Sequence, residues 1–280
     1  MTTSSTPNPP TDSQPLHSTP TPYQSLTLVL KQLSLSHLLD NWDAIEHQAM
    51  QQNWSYGQFL LELCHLEAQR REQLRLQRSL AEAQLPVAKS FTNFDFSHCP
   101  EFNPAPLMQL AEDTLWLARA QNCILLGASG VGKTHLAASL ARRCIELGKR
   151  AKFFAATALV QQLQDAKLQL QLHPALKKLD RYDLLVLDDL GYVKKNEAET
   201  SVLFELIAHR YERKSLLITA NQPFSQWDQI FSDSMMTVAA IDRLVHHGVI
   251  IDVQAQSYRK SAATERLTKS SPASSKTASK

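Results

Sequence analysis

Residues 127–134 read Gly-Ala-Ser-Gly-Val-Gly-Lys-Thr, and this octet constrains the fold more tightly than any other stretch of the 280 residues. It satisfies the pattern G-x-x-x-x-G-K-[ST] in full. Its flanks agree with it: Cys123-Ile124-Leu125-Leu126 is a short apolar run suited to a buried strand, and 135–147 carries apolar residues at helical spacing up to Gly148. Strand, glycine loop and helix together form a phosphate-binding loop. Gly127, Gly130 and Gly132 let the backbone turn tightly and approach a polyphosphate without a Cβ in the way. The amides of the loop, through Ala128, Ser129 and Val131, and the helix N-terminus then face anionic oxygens. Lys133 supplies a cation for the β- and γ-phosphates, and the Thr134 hydroxyl is placed to ligate Mg²⁺.

The chain beyond the loop alternates strands with helices. Apolar runs predict strands at 151–155, 184–187, 216–220 and 249–253, and helical spacing covers 107–120, 157–171 and 197–212. With the strand before the loop, this predicts an α/β fold with a five-stranded parallel sheet flanked by helices. The run Asp183-Leu184-Leu185-Val186-Leu187-Asp188-Asp189 delivers two acids at the C-terminal end of a buried strand, the edge where ligands collect in open α/β sheets. Asp188 is placed to hold the Mg²⁺ shell, and Asp189 to polarise a water attacking the γ-phosphate. Asn221 ends the fourth strand. It is read either as a group that hydrogen-bonds the γ-phosphate or the attacking water, or as the first residue of the turn at Gln222-Pro223.

The rest of the sequence divides into segments. Residues 1–22 and 261–280, rich in Ser, Thr, Pro, Ala and Lys, are read as disordered tails. A helical N-terminal domain is expected over 23–85, with one helix at 26–51 and a second that starts at the N-cap Ser55 and stops before Pro86. Residues 86–106, with several prolines and phenylalanines, read as an irregular linker that packs onto an ATPase domain spanning 107–260. Arg70, Arg71, Arg75 and Arg78 form a basic stripe on the second helix. It suits either phosphate-backbone contact or a solvated face paired with Glu67 and Glu72. A formal net charge of +2 does not by itself indicate a nucleic-acid partner. The four dispersed cysteines form no metal or disulfide framework, and a cytoplasmic location is expected. No apolar run approaches the ~18 residues of a membrane span, and the N-terminus lacks a secretory pattern.

The α/β region resembles the AAA+ ATPases of the helicase-loader-like branch, most closely the IstB family of helper proteins in insertion-sequence transposition. The resemblance rests on the run 126–137, on Leu185-Val186-Leu187-Asp188-Asp189-Leu190-Gly191-Tyr192, on Arg210-Tyr211-Glu212-Arg213, and on Ile218 through Phe224 to Trp227. Leu30-Lys31-Gln32-Leu33, 55–60 and Phe94-Asp95-Phe96 extend it into the N-terminal part.

It implies an ATP- and Mg²⁺-dependent ATPase that binds double-stranded DNA without strong sequence preference. It also implies assembly into homo-oligomers through ATP-site interfaces and engagement of the transposase of the same element. DnaC-type helicase loading is the alternative, and a small-molecule kinase would need an acceptor pocket and an Arg-rich lid that the sequence does not display. The resemblance further implies that Asn221 senses the γ-phosphate, that Arg243 reaches a neighbouring subunit's ATP site, and that Arg259 is a second sensor in cis. Little foldable chain follows the fifth strand, so the helical lid of AAA+ proteins is expected to be short or missing.

Overall fold

The structure is a computed structural model that describes residues 22–191, 197–229 and 234–254. Its contacts separate two compact units, dividing between Leu74 and Arg75.

The first unit contains α1 (Pro22–Gln32), α2 (Ser36–Gln51) and the opening turns of α3 (Tyr56–Ala83). Leu30, Leu38 and Leu63 form its buried centre, and Trp42 meets Phe59 edge to face at 5.1 Å. The single helix expected over 26–51 is two helices. Ser34 takes a left-handed φ of 56°, and the amides of Leu35 and Ser34 close back on the carbonyls of Leu30 and Lys31. This is a Schellman ending, usually announced by glycine, and here serine fills the position. Ser55 caps α3 reciprocally with Gln58: Ser55 Oγ accepts from the Gln58 amide at 3.2 Å, and Gln58 Oε1 accepts from the Ser55 amide at 2.8 Å.

The second unit is the α/β body. It holds the strands β1 (Asn122–Leu126), β2 (Ala151–Ala155), β3 (Leu184–Leu190), β4 (Ser215–Ala220) and β5 (Gly248–Asp252), all parallel, in the order β2-β3-β4-β1-β5. The expected five-stranded parallel sheet is thus present. Strand alternation splits the core in two. Cys123, Leu125, Leu184, Val186 and Leu217 face one apolar layer, while Ile124, Leu185, Leu187, Leu216 and Ile218 face the other. Helices α4 (Ala105–Glu112), α5 (Leu115–Ala118) and α6 (Lys133–Glu146) supply residues to the first layer. Helices α7 (Ala156–Leu168), α8 (Leu172–Leu179), α9 (Glu197–Arg210) and α10 (Ser234–Val245) supply the second.

The helix expected over 107–120 breaks at Asp113, whose Oδ1 accepts from the Leu115 amide and turns the chain. The helix expected over 157–171 ends at Leu168, where Leu170 takes a left-handed φ of 56°, and α8 follows as an element the sequence reading did not foresee. Cys123 and Cys144 are buried among apolar neighbours, as expected; burial pushes both thiols up, that of Cys144 to about 12.

Two polar knots fasten this body. Glu82, near the end of α3, accepts from Arg150, Arg181 and Tyr182, and Lys152 donates to its main-chain carbonyl. Arg210 is 1% exposed and donates to the carbonyls of Leu179, Tyr182, Asp183 and Ser215. It ties the segments entering β3 and β4 together from inside. The segment 85–104 is part of the core: Phe102 and Cys99 are buried, and Phe91, Phe94 and Phe96 pack beside them.

Among the described residues, no helix is long and apolar enough to cross a membrane. Arg259, Tyr192 and the stretch on which the short-lid expectation rests lie outside the described residues, as do the two tails apart from Pro22.

Candidate nucleotide site

Strand β1 runs directly into the glycine loop, and two of the glycines are required there. A Cβ on Gly127, at φ +146°, would stand 2.4 Å from the Val253 carbonyl oxygen; one on Gly132, at φ +101°, would stand 2.6 Å from Phe94 Cε2. Gly132 occupies the N-cap position of α6, so Lys133 and Thr134 open that helix. The Lys133 side chain turns back over the loop: Nζ donates to the carbonyls of Gly127 at 2.9 Å and Ala128 at 2.8 Å, and to Asn221 Oδ1 at 2.6 Å.

Strand β3 brings the acids to the same edge. Thr134 Oγ1 donates to Asp188 Oδ2 at 3.1 Å, and Thr219 Oγ1 donates to Asp188 Oδ1 at 2.6 Å. Asp188 is buried, whereas Asp189 is exposed and lines the pocket. Burial, joined by the adjacent Asp189 charge, holds the Asp188 carboxyl above the ordinary aspartate range, against the pull of Thr219, Thr134 and Lys133. Two hard oxygen donors 3.1 Å apart, one a carboxylate, match what a Mg²⁺ ion takes from protein beside substrate phosphates.

The pocket between these groups has a volume of about 370 Å³. It is lined by 129–135 together with Asp189 and Asn221. The opposite wall was not read from the sequence as part of the site: Lys89, Asn93, Phe94, Asp95, His98 and Cys99 come from the segment expected to be a linker. His135 locks that wall to the loop. Its Nε2 pairs with the Ser90 carbonyl at 2.9 Å, and its ring meets Phe94 edge to face at 5.1 Å. Burial lowers the His135 pKa, which favours the neutral ring. The signal for this wall was the aromatic spacing of Phe91, Phe94 and Phe96, which reads equally well as ordinary packing.

Thus Lys133, Thr134, Asp188, Asp189 and Asn221 converge on the loop. Arg243 does not line this pocket. It sits in α10, donates to the Ala239 carbonyl at 2.8 Å, and lies over the Phe204 ring at 5.2 Å. Its own carbonyl and that of Leu244 accept from Asn122 at the start of β1, four residues before the loop end of that strand and so roughly 13 Å away along it. Of the basic stripe, Arg71, Arg75 and Arg78 are exposed on α3 and Arg70 is half-buried. Arg71 pairs with Glu67 at 2.6 Å, and Arg75 donates to the Gly148 carbonyl at 3.3 Å.

Comparisons with known proteins agree with this geometry. The family described as "IstB-like ATP binding protein" matches residues 28–266. An insertion-sequence ATP-binding protein of Sinorhizobium fredii is 46% identical over 240 residues, covering 86% of this chain and 80% of the relative. The ATP-binding protein of insertion sequence IS21 from Pseudomonas aeruginosa is 33% identical, covering 84% and 88%. Among solved structures, AMPPCP-bound DnaA from Aquifex aeolicus aligns with a TM-score of 0.51 at 16% identity, covering 69% of this chain and 58% of that one. DnaI aligns at 0.52 and 18%, covering 64% and 98%. These likenesses show the fold, that of the AAA+ P-loop ATPases.

Proposed function

The chain belongs to the IstB-like ATP-binding protein family, and from that premise we propose that it is an ATP-hydrolysing, DNA-binding helper of insertion-sequence transposition. The observation that carries the ATPase part is the convergence of Lys133, Thr134, Asp188 and Asn221 on one loop edge, with Asp189 open to the pocket. The loop amides and Lys133 bind the polyphosphate of ATP. Thr134 and Asp188 would hold Mg²⁺, which when bound draws charge from the phosphate oxygens. Asp189 accepts a hydrogen bond from the attacking water, and Asn221 orients that water or the γ-phosphate. The water oxygen bonds to the γ-phosphorus as the bond from that phosphorus to the β–γ bridging oxygen breaks, giving ADP and phosphate, and the water's proton passes to the released phosphate or to solvent.

In this reading Arg243 acts in trans. It is held on α10 away from its own pocket, as a residue serving a neighbouring copy must be. The names of the relatives, which are insertion-sequence proteins, support transposition over helicase loading. The transposase of the same element, double-stranded DNA and further copies of this chain are the partners, in the cytoplasm. The stripe on α3 is the proposed DNA contact, with the exposed Arg78 more available than the half-buried Arg70 or than Arg71 and Arg75, which hold other partners. Arg259 keeps its proposed role as a sensor in cis.

Sizing the protein on duplex DNA with Mg²⁺ and either ATP or ADP tests the assembly reading. Larger complexes with ATP alone are expected, and equal sizes with both nucleotides reject a nucleotide-driven assembly. Mixing Arg243→Ala chains with Asp189→Asn chains tests the trans arginine: the mixture is expected to regain hydrolysis that neither variant has alone.

A further inference from the structure

We propose that Thr219 is a positioning residue of the nucleotide site, whose one hydroxyl both orients Asp188 and holds the backbone turn that delivers Asp189. The proposal rests on the ATPase reading above and concerns a residue that reading does not use. It starts from strand register. Leu187 pairs with Ile218 and Leu190 pairs with Ala220, so two residues of β3, Asp188 and Asp189, stand opposite the single residue Thr219 of β4. This is a β-bulge, and such bulges re-aim a side chain at the expense of a ladder bond. Asp189 takes a left-handed φ of 59°, and its amide donates to Thr219 Oγ1 at 2.9 Å.

The hydroxyl has one proton. Because its oxygen accepts from the Asp189 amide, that proton is directed to Asp188 Oδ1 at 2.6 Å. The contact fixes Oδ1 as an acceptor and leaves Oδ2 facing Thr134, which donates to it. Thr219 is fully buried, so no water can take its place without rearrangement. Removing the oxygen would take this acceptor from the Asp189 amide and one of two hydroxyl donors from Asp188. Two residues further on, just past the end of the strand, Asn221 is bonded to Lys133. One strand edge therefore sets the acids and the loop lysine together. Thr219 acts through these groups and has no chemical step of its own.

The test uses the full chain with Thr219→Val, which keeps the shape and loses the hydroxyl, and Thr219→Ser, which keeps the hydroxyl. ATP affinity without divalent cation is expected to stay within about threefold of wild type in Thr219→Val, because the phosphate loop is untouched. The Mg²⁺ concentration for half-maximal hydrolysis is expected to rise about tenfold or more, as for other groups that orient a metal ligand. The affinity of the ATP complex for Mn²⁺, read by electron paramagnetic resonance, should fall in parallel.

Thr219→Ser should regain most of each loss. If Thr219→Val does not fold, Thr219→Cys, with only a weak donor in the same space, is read in its place. An unchanged Mg²⁺ requirement and Mn²⁺ affinity would overturn the proposal, and so would a serine variant as impaired as the valine. Wild-type protein that binds ATP but does not hydrolyse it would refute the ATPase reading alone, and Mn²⁺ affinity would still decide the role of Thr219.

Discussion

Lys133 and Asn221, 88 residues apart in the chain, meet in a 2.6 Å hydrogen bond from the ammonium to the amide oxygen. The same ammonium is held by two loop carbonyls, so a phosphate oxygen reaching Lys133 competes with neutral acceptors already in place. A charged acceptor wins that exchange, since hydrogen bonds between ionised partners are about twice as strong as neutral ones.

Lys133→Ala and Asn221→Ala should therefore separate binding from turnover. Loss of Lys133 removes its positive charge from this contact, and ATP affinity should fall by at least about tenfold, read by titration of a fluorescent ATP analogue. Loss of Asn221 leaves the lysine and the loop amides, so affinity should change by only a few fold. The turnover number should fall by about 10²-fold, the scale of losing one positioned donor or acceptor. Equal losses of affinity in both variants would place Asn221 in binding instead.

The state of Asp188 sets an acid limit on activity. Its carboxyl sits above the ordinary range because burial, and then Asp189, disfavour the charge. As pH falls through that raised value, Asp188 takes up a proton and stops serving as a metal ligand. The acid limb of kcat/KM should thus lie above pH 3.8, the ordinary aspartate value, and should shift lower as Mg²⁺ is raised, because metal and proton compete for one oxygen.

Gly132→Ala is expected to damage the loop in two ways. The residue sits at φ +101°, where an L side chain costs about 1–2 kcal/mol, and the new methyl would press on Phe94. Shortening the ring by Phe94→Leu in the same chain should recover the steric part alone. Melting temperatures of the two single variants and the double variant check this: the double variant should melt above Gly132→Ala and below Phe94→Leu.

Acid should loosen the body through Glu82 and Asp183. Burial opposes ionisation of both, yet partners outweigh it: Tyr182, Arg150 and Arg181 at Glu82, and the Arg150 amide and Lys214 at Asp183. Both carboxyls are therefore held below their ordinary values of 4.5 and 3.8. A depressed native pKa adds stability that is complete above the unfolded value and drains away as pH falls through the native one. Urea midpoints should be flat above pH 6 and fall below about 4.5, and Glu82→Gln should weaken that fall.

Arg210→Met should cost stability without touching the pocket. Four carbonyls would lose a donor inside the fold, those of Leu179 and Asp183 keeping a backbone amide, and each buried acceptor left unsatisfied costs about 1–3 kcal/mol. Burial also lowers the Arg210 pKa to about 10, a sign of how little solvent it sees. Urea unfolding measures the loss. ATP affinity per folded molecule should be unchanged.

Much of the site was legible because its signals are local. The octet at 127–134 combines glycine geometry with chemistry in consecutive residues, and the apolar run before Asp188 marks both a buried strand and its outlet. The segment 89–99 was not legible in the same way. Its phenylalanines announce burial, but nothing in their spacing says that what they cover is the glycine loop. The helix breaks at Ser34 and Leu170 escaped for another reason: each is a left-handed position held by a residue other than glycine, so no steric flag stands in the sequence.

What the sequence determined alone was the class of fold and the chemistry of its main ligand, because periodicity and a contiguous motif depend only on neighbours in the chain. Tertiary structure decided the rest. It chose the strand order β2-β3-β4-β1-β5, placed Asn221 on Lys133, and set Thr219 opposite two acids through a one-residue bulge. These contacts join segments tens of residues apart, and a one-residue change in strand register would turn each of those side chains to the other face of the sheet.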